Sequence, residues 1–300
     1  MNSRADVYSR VTEHIVRAIE QVATTYEMPW HRKASAGLPR NPATGNSYRG
    51  INTVSLWADS QLGGYTSPYW ASYKQWQSLG AQVRQGAHGS VIVFYKQIEK
   101  EDTDRGDAAE SPERRAVIRY SFVFNGEQVE GWTRPDVPQE VDGGTLSTVE
   151  EFIASLRSDI RYGSDGASYS PTLDRILMPH RKDFRDTNAG SALEGFYAVL
   201  LHEHIHWSGH TARLKRDLTG RFGSSAYAME ELVAELGAAF LCASLGISTF
   251  PRADHAGYIA NLLAVLNKEK AAIFLAASAA TIASNYLESL YIQNRLSKSA

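Results

Sequence analysis

Apolar residues recur at helical spacing through the first stretch of the chain: Val7, Val11, Ile15, Ile19 and Val22, with charged residues between them. That period predicts an amphipathic helix over residues 7–26. Pro29 stands just past its end. Pro, Gly and Asn crowd residues 39–52 and predict a loop or turn. A second helix is expected over 52–61, with Val54, Trp57 and Ala58 inward, and a short one over 71–79. Residues 80–89 read as a glycine-spaced basic loop. The β-branched run 90–96 predicts a strand, and 117–123 its antiparallel return. The charged, turn-rich stretch 99–115 between them reads as a hairpin loop.

Residues 133–146 are rich in Pro and Gly and read as a linker. Beyond it, periodicity predicts helices over 147–158, 188–206, 229–241, 253–266 and 269–287, and residues 168–179 look like a strand pair. Ser147 or Thr148 would cap the first of these helices, with Val149, Phe152 and Ile153 inward. The expected architecture is α+β in two domains. A small α/β module spans 1–132, residues 133–146 link, and a mainly helical domain with a small sheet spans 147–300.

One motif gives this pattern chemistry. His202-Glu203-X-X-His206 sits in the expected helix 188–206, after the apolar run from Phe196 to Leu201. Residues four apart share a helix face, so two imidazoles point to one place. That spacing binds a metal ion and puts Glu203 where it polarises a water on that metal. Burying three His and a Glu on an apolar helix is costly unless something compensates, and a cation compensates. A third histidine in the style H-E-X-X-H-X-X-G-X-X-H is not expected: Gly209 fits, but the ligand position holds Ala212, and His210 is out of place. The other common solution is a carboxylate from a second helix. Glu231 and Glu235 share a face of the expected helix 229–241. Glu231 is the expected third ligand and Glu235 the group behind a ligand imidazole. Glu230 is an alternative ligand, or a solvated residue near the helix start. Three protein ligands leave a position open for water, and N and O donors favour Zn2+, with Mn2+ or Co2+ as alternatives.

Charge adds a second theme. Over the whole chain of 300 residues the net charge is −2, but residues 1–100 hold 11 Lys and Arg against 6 Asp and Glu, and the remaining 200 hold 20 against 27. A positive front suits a polyanion. In residues 30–96, Trp30, Trp57, Trp70 and Trp76 and several Tyr interleave with Arg32, Lys33, Arg40, Arg49, Lys74, Arg84 and Lys96, and Trp132 follows at the module's edge. Aromatic faces stack unpaired bases while cations neutralise phosphates, so an unpaired nucleic-acid strand is the expected partner. The single cysteine, Cys242, lies in an apolar run and reads as a core residue suited to a reducing cytoplasm. The start, Met1 to Asp6, lacks the apolar segment of a signal peptide. Residues 271–287 are rich in Ala, Ser and Thr and read as a core helix, not a membrane span.

These residues resemble one family. Trp30, the Asn41–Gly45 turn, the run Tyr48-Arg49-Gly50-Ile51-Asn52 and the run Tyr73-Lys74-Gln75-Trp76 are similar to the N-terminal domain of ArdC-type antirestriction proteins. His202, Glu203, His206, Trp207 and His210, then Arg213 and Arg216, then Glu230, Glu231 and Glu235, look like their metallopeptidase domain. The resemblance implies a zincin-like fold behind a single-stranded DNA-binding front. It also implies a protein of plasmids or other mobile elements that protects incoming DNA from host restriction. The candidate DNA contacts are Trp30, Arg40, Tyr48, Arg49, Asn52, Tyr69, Trp70, Lys74, Gln75, Arg84 and Lys96. Two readings of the back remain open: a zinc peptidase acting on a host protein or peptide, with Glu203 moving the proton, and a DNA-coating protein whose metal only holds helices together.

Overall fold

The computed structural model describes residues 4–22, 28–34, 37–99, 114–133, 144–187, 190–220, 224–249 and 255–299. The front begins with helix α1 (Arg4–Val22), the short α2 (Pro29–Ala34) and α3 (Ile51–Gly63). The apolar stripe of α1 is buried as its spacing requires, with Ile15 and Ile19 fully covered. A two-residue strand β1 (Trp70–Ala71), helix α4 (Tyr73–Ser78) and strand β2 (Gln82–Val83) lead to the long pair β3 (Ser90–Glu99) and β4 (Arg114–Asn125). These two run antiparallel from Ser90 opposite Val123 to Glu99 opposite Arg114. β1 pairs with the end of β4, and β5 (Val129–Glu130) pairs with β2. The stretch expected as a hairpin loop lies outside the described residues from 100 to 113, as does the expected linker from 134 to 143.

The back holds α5 (Gly144–Leu156), strands β6 (Asp159–Tyr162), β7 (Ser168–Ser170) and β8 (Arg175–Met178), then α6 (Ala192–Ser208), α7 (Ser225–Leu245), α8 (His255–Lys268) and α9 (Ala272–Ser299). The strand order is β6-β8-β7, with β6 parallel and β7 antiparallel to β8, so β7 is an edge. Sequence pattern missed β6, whose residues Asp159-Ile-Arg-Tyr162 carry only a weak alternation. Local signals set the helix ends. Ser191 and Glu194 form a reciprocal capping box at the start of α6. Ser224 caps α7, and Gly246 ends it at φ 72°, a left-handed conformation that suits glycine.

The described parts of the two halves share one core. α2 packs on α7, α3 on α9 and α1 on α8. Val54 and Trp57 from the front belong to the same buried cluster as Leu236, Phe240 and Ala277 from the back. The helix α2, for which the sequence reading named no element, exists because this core covers it: Trp30 and Ala34 are buried. Tertiary burial overrides weak local propensity in such a short segment. No described helix is long and apolar enough to cross a membrane.

α6 and α7 approach closely at one point. A Cβ added at Gly237 would fall 2.7 Å from Ile205 Cδ1 and 2.9 Å from its Cγ1. Gly237 is thus the groove into which the metal-motif helix settles. Gly237→Ala is expected to push α6 off α7, costing about 1–3 kcal/mol of stability. Urea denaturation compared with the parent checks this; an unchanged midpoint would mean that the contact relaxes freely.

Candidate metal centre

His202 and His206 lie one turn apart on α6, and Glu231 stands opposite on the second turn of α7. The three donors converge. His202 Nε2 is 3.2 Å from His206 Nε2, and the two are each 3.5 Å from an oxygen of Glu231. Bonds of about 2.0–2.1 Å around a tetrahedral zinc place donor atoms about 3.3–3.4 Å apart. The observed separations are close to that edge length, with each imidazole facing a different oxygen of Glu231. Among the described residues this is the one group of three His, Cys, Asp or Glu whose ligand atoms gather in this way. The donor set, two imidazoles and a carboxylate, fits a divalent metal ion.

Behind the donors is a second layer. His206 Nδ1 donates to Glu230 Oε1 at 3.1 Å, so Nε2 is the nitrogen that faces the other two donors and, once deprotonated, offers its lone pair there. Glu230 also takes Arg216, from Nη2 to Oε1 at 2.9 Å and from Nε to Oε2 at 3.1 Å. Arg216 reaches on to the Ile205 carbonyl and the Ser208 hydroxyl. Glu230 is therefore neither a ligand nor a solvated helix-start residue: it is largely buried, and its carboxylate orients an imidazole. Glu235, from which sequence reading expects that kind of duty, accepts at Oε2 from His31 Nε2 at 2.9 Å, while His31 Nδ1 accepts from the Met28 amide at 3.1 Å. The hydroxyl of Thr249, just past α7, donates to the His31 carbonyl. Glu235 thus ties the front helix α2 to the helix that carries Glu231, and it lines a small cavity together with His202. His31 and Arg216 were missed as partners, because nothing in local spacing links positions 204 and 14 residues away from their glutamates.

The third histidine of the motif helix faces elsewhere. His204 bonds the Leu200 carbonyl through Nδ1 at 2.7 Å and the Ser158 hydroxyl through Nε2 at 2.8 Å. Burial pushes its pKa down to about 4, so it is a neutral core residue. Glu203 is buried too, 2% exposed, and lines a cleft of about 240 Å³ with His206, Glu230, Glu231, Tyr227 and the edge strand at Ser168 and Tyr169. Arg213 fastens that strand: it pairs with Asp174, reaches the Tyr169 hydroxyl at 3.3 Å, and lies 3.8 Å over the Trp207 ring.

In the front, Trp30 and Trp70 are fully buried, and Trp57 and Trp76 with them. Their ring faces are covered by the core, so they offer no stacking surface, contrary to expectation. Tyr69 is buried as well. Three polar candidates are occupied internally. The Tyr48 hydroxyl donates to the Trp70 carbonyl, Asn52 holds both the amide and the carbonyl of Val93, and Gln75 closes the capping box of α4 with Ser72. Arg40, Arg49, Lys74 and Arg84 are exposed. The side chain of Lys96 lies outside the described residues. The composition signal was right that rings and cations interleave, but it cannot separate rings that make the core from rings that face water.

An α+β chain with H-E-X-X-H on one helix and a carboxylate converging from the next defines a zincin-like metallopeptidase domain, here behind a smaller front domain. The comparisons agree: residues 147–279 match the zincin-like metallopeptidase family, and residues 5–124 match the N-terminal domain of the anti-restriction factor ArdC. The chain belongs to the ArdC-type antirestriction family. The crystal structure of the metal-free antirestriction protein ArdC from plasmid R388 superposes with a TM-score of 0.77 at 34% identity, covering 96% of this chain and 98% of that one. Its Mn(II)-bound form gives 0.74 at the same identity, over 95% and 98%. Protein y4eC of Sinorhizobium fredii is 46% identical over 279 residues, 92% of this chain and 89% of its own. A DNA primase TraC of Escherichia coli is 32% identical over 96% of this chain, which spans only 20% of that much longer protein.

Two predictions follow from the charge arrangement. Burial alone would push the His206 pKa down, but the carboxylates of Glu230 and Glu231 outweigh it and raise it to about 10. The same pairing holds Glu231 well below the usual carboxylate range. Metal must therefore displace a proton from His206 at neutral pH. Metal affinity is expected to rise about tenfold per pH unit from neutrality until pH passes about 10, with one proton released per ion. Titration calorimetry in buffers of different ionisation enthalpy measures that proton. Second, Arg216→Ala removes the counter-charge of Glu230 and is expected to weaken metal binding roughly 10–100-fold with the three ligands intact. Competition with a chromophoric chelator measures it.

Proposed function

We propose that this chain is an antirestriction protein that joins a zinc-dependent peptidase site to a front module for single-stranded DNA, protecting incoming mobile-element DNA. The observation that carries the peptidase reading is the convergence of His202, His206 and Glu231 beside the buried Glu203, at the floor of a cleft walled by an edge strand. His202, His206 and Glu231 would hold the ion, with Zn2+ as the resident metal, Mn2+ or Co2+ substituting. When bound, a divalent cation supplies a Lewis acid beside Glu203.

The chain's own residues do the rest. The free edge of β7 pairs with the main chain of an extended peptide and lays it along the cleft. Glu203, held out of bulk water, takes a proton on one of its carboxylate oxygens from a water whose oxygen adds to the scissile carbonyl carbon, and passes that proton to the amine nitrogen as the C–N bond breaks. Glu230 and Arg216 fix the ring of His206, so the donor triangle does not rearrange as charge moves. For the front, the positive balance of residues 1–100 and the exposed Arg40, Arg49, Lys74 and Arg84 support a polyanion partner. The membership in an antirestriction family supports DNA as that polyanion.

Glu203→Gln separates the two readings of the back. It preserves shape and ligands but removes the proton carrier. The expected result is parent-like metal affinity and thermal stability, with peptide hydrolysis reduced roughly 10²–10⁴-fold. A casein-derived peptide library read by mass spectrometry measures the loss. Hydrolysis that persists at the parent's rate in Glu203→Gln would sink the peptidase assignment.

A further inference from the structure

With Trp30 and Trp70 in the core, the question is which surface of the front would meet a single strand. Among the described residues of the front, three large rings stay open to water: Tyr73 at 42%, Phe94 at 46% and Phe122 at 40% exposed. Two of them belong to one track. Tyr120, Phe122 and Phe124 occupy alternate positions of β4 and so share one face, about 6.8 Å from one to the next. Tyr120 packs edge-on against Phe122 at 5.7 Å. At the other end, Phe124 and Tyr73 line one open groove of about 640 Å³ with Arg84, Gln82 and Ala87. The track is kept open by a small residue: a Cβ at Gly89 would lie 3.0 Å from Phe122 Cβ and 3.2 Å from Phe124 Cζ.

Cations stand along the same track. The Arg10 guanidinium lies 5.6 Å from the centre of the Phe122 ring. Lys74 follows Tyr73 and is exposed. Arg84 donates to the Glu127 carbonyl at 3.0 Å and meets the exposed Glu130 at 3.4 Å, so its head is fixed at the groove wall. Phe94 is different. It pairs with Arg119 across the ribbon, on the face opposite Phe122.

We propose that Tyr73, Phe124 and Phe122, flanked by Arg10, Lys74 and Arg84, form the face that binds an unpaired polynucleotide strand. Its bases stack on the rings and its phosphates run past the cations. A duplex hides its base faces and is poorly served by such a track. This proposal rests on the single-strand reading of the front.

The test is fluorescence anisotropy with a labelled oligothymidylate, the full-length chain and a matched duplex. Tyr73→Ala and Phe122→Ala are each expected to weaken single-strand binding roughly tenfold or more. Phe94→Ala should stay within about twofold of the parent, and Lys74→Gln should flatten the salt dependence by roughly 0.7 of a unit in the log–log slope. Tyr73 is exposed and outside every core cluster, so its variant keeps the fold; circular dichroism of each variant verifies this. If the parent prefers the single strand and neither ring variant loses affinity, or if Phe94→Ala loses it instead, the track is wrong while the single-strand reading stands. If the parent binds duplex as well as single strand, that reading fails and takes the track with it.

Discussion

The close approach of α6 and α7 is the constraint on which the rest depends. Ile205 seats where Gly237 has no side chain, and this brings a face bearing two histidines against a face bearing a carboxylate. The site lies close to that contact: His202 and His206 within one turn of Ile205 on one side, Glu231 under two turns before Gly237 on the other. The helices are otherwise apolar nearly all round, which keeps them in the core and makes the few polar groups between them conspicuous. Two glutamates and two histidines in such a place repel or attract strongly, because little water screens them. Glu230 is neutralised by Arg216 and His206. Glu231 faces the two imidazoles, and a cation at that point satisfies all three donors together.

The same core reaches into the front half. The bond from His31 to Glu235 joins α2 to the helix of Glu231, one turn from the candidate ligand. Trp57 packs on Phe240 with ring centres 5.8 Å apart. The front domain is thus a wall of the metal-site domain as well as a separate surface. Trp30 and Trp57 belong to this shared core, and Trp70 and Trp76 to smaller clusters of the front, so only a smaller set of rings faces outward.

Much of this was legible in the chain. The helix period located α1, α3, α5, α6 and α7, and the alternating β-branched runs located the β3–β4 pair. H-E-X-X-H pointed to the two histidines, and shared helical spacing on 229–241 pointed to a carboxylate partner. What was not legible depends on contacts between distant segments. No local pattern told Glu230 from Glu235, because their roles are set by Arg216 and by His31, which arrive from other elements. No local pattern showed that Trp30 is covered while Tyr73 is open. Ring content is a property of sequence; exposure is a property of packing. The strand β6 was missed because it is short and gains its partner, β8, only after a crossover.

The most direct measurement of the central claim is X-ray absorption at the zinc edge, on protein loaded with one equivalent of zinc. A first shell of nitrogen and oxygen at about 2.0–2.1 Å is expected, with the multiple-scattering signature of two imidazoles. A shell with a sulfur ligand, or with a single imidazole or none, would contradict it.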